Sequence, residues 1–269
     1  MPARNFRAHT RGARGITIRM RTRVRKGERS GDALVICAVA LCFLITLSLC
    51  LLMDGSGFLA VSRESESAKY YLLCGGAYED ISLARNYAEL IRSRGGAGYV
   101  LQGERCEVVL GVYASEQKAN EALGASGMQG AYISEIAVAT GTDGVPRELK
   151  DEAVAALGYF PLVLDEFTSL ADGVADARVS LADAKVRLGV LSAKLGELKE
   201  GFYSASEGVS SAAVTELKLA LVTAAALVET VDFGSPSGAE SAAYAAASLR
   251  YQSVQLVLSR QALGSSLAG

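Results

Sequence analysis

Tyr71-Leu-Leu-Cys-Gly-Gly-Ala-Tyr78-Glu-Asp80 and Cys106-Glu-Val-Val-Leu-Gly-Val-Tyr113-Ala-Ser115 are two versions of one phrase. Each is an apolar run ending in Gly-x-Tyr, at Gly76-Ala77-Tyr78 and Gly111-Val112-Tyr113, and each precedes an amphipathic stretch with small residues along one side. A strand that turns into a helix, made twice, gives two βα units packed as one small domain. Working outward, apolar and aromatic runs predict strands over 69–75, 99–102, 105–112 and 131–138, with Gly103-Glu104 turning the chain between the second and third. Asp80 or Ser82 caps a helix running to about Arg94, with Ile81, Ala84, Ala88 and Ile91 along one side, and Gly95-Gly-Ala-Gly98 stops it. Ser115 caps a second helix to about Leu123. The order is βαββαβ, a ferredoxin-like sheet with two helices on one face. Period-two alternation turns Cys74, Arg105, Glu107 and Val109 to the open face, and Leu73, Cys106, Val108 and Leu110 toward the helices.

On the N-terminal side the chain splits by charge. The net charge of −2 hides ten basic residues against Glu28 before residue 32, and 27 acids against 17 basic residues from Asp54 onward. Between them Ala33–Met53 carries no charge. At 1.5 Å per residue this stretch rises about 31 Å, enough for a hydrocarbon core of about 30 Å. The flanking arginines place residues 1–32 in the cytoplasm and the rest outside. The run exceeds a signal-peptide apolar core, so an uncleaved single-pass anchor is expected. The basic head reads as a topology signal touching anionic lipid, not as a nucleic-acid site.

On the C-terminal side, 140–146 reads as a linker, with Pro146 suited to a first helical turn. Leu170, Val174, Ala177, Leu181, Ala184, Leu188, Leu191, Leu195, Leu198 and Phe202 then alternate steps of four and three, a heptad seam along one long helix. Val214, Leu217, Leu221, Ala224, Val228 and Val231 make a second seam, and Tyr244, Ala247, Tyr251, Val254 and Leu258 a third. One long helix and two shorter ones are expected to pack as a bundle. The fold class is therefore α+β: a transmembrane helix, a small βαββαβ domain, then an all-α bundle or coiled coil. The boundaries are 1–32 basic segment, 33–53 span, 54–68 tether, 69–139 mixed domain, 140–146 linker, 147–263 helical domain and 264–269 tail. Whether the bundle packs on the sheet is left open.

Chemistry is mostly excluded. The single histidine, His9, is cytoplasmic on this topology, so the exterior lacks a Ser-His-Asp triad, a Cys-His pair and a His-ligated zinc site. The glycines at 95–98 follow a helix and not a strand, so they form no phosphate loop. No catalytic residue, metal or cofactor is expected. Cys37, Cys42 and Cys50 lie in the span, leaving Cys74 and Cys106 outside on opposite faces, an arrangement that does not favour a disulfide.

Gly76-Ala77-Tyr78 followed by Ala84 and Ala88, and Gly111-Val112-Tyr113 followed by Ala119 and Ala122, resemble the SPOR domain of bacterial envelope proteins over about 70 residues. The host architecture, a short cytoplasmic part, one span and an external domain, is similar too. The resemblance implies binding of peptidoglycan glycan strands at division septa or forming spores. It places the glycan contacts at Tyr70, Cys74, Ala77, Arg105, Glu107 and Val109. The chain departs from the family at Cys74, where Gln is frequent, and at Ala77, where a small hydroxyl residue is frequent. The expected partners are peptidoglycan, the lipid membrane, and a second copy or an envelope protein held by the C-terminal helices. The alternative is an envelope scaffold in which the same sheet and helices bind proteins and not glycan.

Overall fold

A computed structural model describes residues 67–234 and 239–267. The basic segment, the 33–53 span with its three cysteines, and the tether up to residue 66 lie outside the described residues. The element order is β1 (Ser67–Tyr78), α1 (Ile81–Ser93), β2 (Tyr99–Gln102), β3 (Cys106–Tyr113), α2 (Glu116–Ser126) and β4 (Tyr132–Ala139). A 3-10 turn at Arg147–Leu149 leads into α3 (Lys150–Ala175), α4 (Leu181–Ala205), α5 (Ala212–Glu229) and α6 (Ala239–Leu267). The protein is thus mixed α+β, with a four-stranded antiparallel sheet in the order β2-β3-β1-β4 and six α-helices among the described residues.

Local chemistry sets the helix starts. Asp80 accepts from the Ser82 amide at 2.6 Å, Ser115 from the Lys118 amide at 3.3 Å, Ser180 from Asp183 at 3.1 Å and Ser211 from Val214 at 3.1 Å. Each satisfies an amide that the first helical turn leaves without an intrahelical partner. The glycine cluster after α1 does more than stop the helix. Gly98 sits at φ +54, and a Cβ there would lie 2.3 Å from the Ala88 carbonyl oxygen. Gly98→Ala is therefore expected to lower stability by about 2 kcal/mol or more, from left-handed strain added to a backbone clash. A denaturant midpoint equal to the wild type would show that the turn relaxes around a side chain.

The heptad seam runs through a helix break. What the 4-3 spacing presents as one long helix is two, because the chain turns at 176–180. Ala177 adopts φ 56, and the amides of Arg178 and Val179 both bond to the Gly173 carbonyl at 2.8 and 2.9 Å. That pattern closes the end of α3 with a left-handed residue, and Ser180 then starts α4. Gly173 is needed because Val179 folds onto it, 2.5 Å from where a Cβ would stand. Ala177 is exposed at this turn, while Leu170, Val174, Ala184, Leu188, Leu191, Leu195 and Phe202 are buried as the spacing requires. In α6 the seam holds at Ala247 and Val254, but Tyr244 faces solvent.

The four long helices close a ring, with α3 packed on α4 and α6, and α5 packed on α4 and α6. A forked ion pair ties α3 to α4, with Arg187 Nε and Nη2 on the two Glu166 oxygens at 2.7 and 2.8 Å. By length and composition α3 is apolar enough to cross a membrane. One side of it is packed inside the protein, where Phe160, Val163, Leu164, Phe167, Leu170 and Val174 belong to the central core, while Val154 and Leu162 are exposed on the other.

All described residues fall in one compact unit, and the bundle packs on the sheet. One face of the sheet carries α1 and α2, where Ala84, Ala88, Ile91 and Val108 make a small core. The other face joins the main core: Tyr70, Leu72, Cys74, Val109, Val112, Ile136 and Val138 cluster with Phe160 and Phe167 of α3 and Leu249, Val254, Leu256 and Val257 of α6. The face that alternation leaves open is covered by the protein's own helices.

Candidate functional site

The strand register confirms which side chains share a face. Cys74 pairs with Val109 on β3 and Tyr132 on β4, and Ala77 pairs with Glu107. The register shifts twice along β1, between Leu73 and Cys74 and again between Cys74 and Ala77. These irregularities bend the strand around Gly75 and Gly76.

The six residues of the expected glycan face divide into three groups. Tyr70 is buried at one end of the sheet, beneath α3 and α6. Cys74 and Val109 are fully buried at its centre, so neither presents a surface. Their burial corrects the expectation of an open face, and its cause is α6 crossing β3 and β4. Ala77, Arg105 and Glu107 form the third group, at the far corner, where Ala77 and Glu107 are half-buried and Arg105 is exposed.

At this corner the polar groups are tied to one another. Arg105 Nη2 donates to the Ala77 carbonyl at 3.0 Å. The Cys74 thiol points to Glu107 Oε2 at 3.9 Å, and the Tyr132 hydroxyl bonds to the same carboxylate. Burial pushes the Cys74 thiol up to about 12, helped by the negative charge of Glu107. Burial also raises Tyr132, with its bond to Glu107 adding to the shift. A thiol held protonated is a poor nucleophile. The corner thus offers a carboxylate, a guanidinium and a phenol ring, a set suited to hydrogen-bonded recognition. Cys74 and Cys106 are free thiols in different cores.

Tyr132 is the corner residue that the strand reading passed over. Its signal was present, since the parity of β4 that puts Ile136 and Val138 in the main core puts Tyr132 on the same side. A cavity of about 940 Å³ opens where α1, α2 and α3 meet, floored by Leu73 and Leu110 and rimmed by Arg94, Lys118 and Asp172. Arg250 closes one end of it, donating to the Gly95 carbonyl at 2.6 Å and to Asp172 at 2.7 Å. Among the described residues, no group of three or more His, Cys, Asp or Glu side chains is placed to hold a metal ion. Compared with known proteins, the chain matches no family model, and no curated protein or solved structure is significantly similar to it.

Proposed function

We propose that this chain is a membrane-anchored, non-catalytic scaffold of the bacterial envelope, in which a SPOR-like sheet serves as a packing module for its own helices. The observation that carries this reading is the covered sheet face. A glycan strand needs an open, polar surface with an aromatic platform, and the chain spends that surface on α3 and α6. The anchor at 33–53 and the external location follow from the apolar run and the arginines beside it. Assembly with a second copy or an envelope protein falls to the helices, where α4 leaves Val186 and Val190 exposed one turn apart.

The accessible corner supports a second reading, in which Arg105, Glu107 and Tyr132 keep a reduced contact with peptidoglycan. One experiment separates the two: co-sedimentation of residues 58–269 with intact and with amidase-treated sacculi. The scaffold reading expects the protein to stay in the supernatant with both walls. Preferential pelleting with the peptide-stripped wall, lost when Arg105 and Glu107 are both replaced by Ala, would replace it with the glycan reading.

A further inference from the structure

Ala184, Leu188, Leu191, Leu195 and Phe202 turn one side of α4 into the core, where the helix packs against α3 and α5. At about 3.6 residues per turn, Val186, Val190, Ala193 and Glu197 fall on the opposite side. All four are exposed, the two valines at 67% each. Asp183 and Lys194, also exposed, bracket the valines on this side. They stand about 16 Å apart along the helix, three turns, which keeps them on one face.

The order acid, valine, valine, lysine selects a partner. A second copy of α4 laid antiparallel, with its twofold axis midway between Asp183 and Lys194, sets Asp183 opposite the partner's Lys194. The symmetry repeats that contact with the roles exchanged, and the four valines of the two helices meet around the axis. A parallel pair instead opposes Asp183, Lys194 and Glu197 each to its own like charge, which is unfavourable. An anionic lipid surface would meet Asp183, Glu197 and Glu200 against Lys194 on this side, so charge argues against it. The bonds these groups make within one chain do not compete strongly. Asp183 accepts from the Ser180 hydroxyl at 2.7 Å through Oδ2. Lys194 reaches Glu197 at 3.1 Å, in a pair whose side chains are 53% and 70% open to solvent, and such a pair contributes little.

We propose that the outer face of α4 docks antiparallel on the same face of a second copy, making a homodimer. This rests on the scaffold reading, in which the helices carry assembly, and it names the partner, the surface and the direction. One helix pair makes a small contact beside the about 1,200–2,000 Å² of a stable complex, so the dimer is weak and concentration-dependent.

The test uses the full chain in detergent micelles under reducing conditions, with donor- and acceptor-labelled copies mixed and energy transfer read against concentration. Asp183→Lys puts a lysine at both ends of the face, and Lys194→Asp puts an acid at both. Each variant alone then opposes like charges twice, and its self-association should weaken about 10- to 30-fold. Mixed together, every lysine meets an acid, and the two variants should pair about as tightly as the wild type pairs with itself. Both positions are exposed, so a Tm close to wild type shows that each variant is folded. Wild-type association that ignores both substitutions, or a mixture as weak as either variant alone, would overturn the α4 contact and leave assembly to another surface. A wild type without energy transfer at any concentration would overturn the dimer and leave the scaffold reading with an envelope protein as partner. Should Asp183→Lys fail to fold, Lys194→Asp decides by itself, since its self-association must fall while its Tm does not.

Discussion

Ending the chain at Gly238, before α6, should convert Cys74 from an inert thiol to a freely reactive one. In the folded protein Cys74 is buried and its pKa is about 12, so at pH 8 the thiolate fraction is on the order of 10⁻⁴. A free cysteine near 8.5 is about one quarter thiolate at the same pH. Labelling should therefore accelerate about 10³-fold if the sheet loses its fold. That loss is expected from the energetics of the covered face. Leu249, Val254, Leu256 and Val257 are buried residues of α6 in the core that also holds Leu72, Val109 and Val112. Burying each Val or Leu contributes about 1.5–3 kcal/mol. Four of them amount to about 6–12 kcal/mol, similar to the about 5–15 kcal/mol that holds a whole domain together. The experiment needs the other four cysteines replaced, so that the label reports on Cys74 alone. A truncated chain that keeps Cys74 protected, with a cooperative unfolding transition, would show that the sheet stands as a domain without the bundle.

The same covered face explains what the sequence reveals and what it conceals. Strand and helix positions were legible because local rules set them: Tyr99–Gln102 is the strand its composition predicts, and Asp80 and Ser115 cap the helices that follow the two Gly-x-Tyr turns. Alternation also assigned Cys106, Val108 and Leu110 to the α1 side correctly. The error was in taking the opposite side as solvated. Tyr70-Tyr-Leu-Leu-Cys74 is apolar on both faces, as expected of a strand sandwiched between two layers. A free sheet would show polar residues at Leu72, Val109 and Val112. Long-range partners are not written in local spacing, so the identity of the covering element, α6, came only with the fold. The break at 176–180 was hidden for another reason. A heptad pattern counts residues and not turns, and the steps across Val174, Ala177 and Leu181 keep the 4-3 rhythm through a loop. Ser180 followed by Asp183 was the local sign of a new helix start.

Phe167→Ala is expected to cost about 3–5 kcal/mol, the loss of a large ring together with the cavity it leaves. Phe167 is fully buried in α3 and is among the largest enclosed side chains of the protein. Val186→Ala, on the exposed side of α4, should change stability by less than about 0.5 kcal/mol. Urea unfolding of both variants and the wild type gives the comparison, with an unchanged slope as evidence that the folded and unfolded states are otherwise the same. The result bears on more than packing, because α3 has the length and hydropathy of a membrane span. A lipid-facing phenylalanine leaves no cavity when shortened, since lipid chains fill the space. A packed one does. Glu166 of α3, in its forked pair with Arg187, and Asp172, bonded to Arg250, put two partly exposed ion pairs on this helix, which would be costly against hydrocarbon. A cost below about 1 kcal/mol at Phe167 would contradict the enclosed core and reopen the assignment of α3 to the membrane. A cost of several kcal/mol would fix α3 as the helix on which bundle and sheet are jointly built.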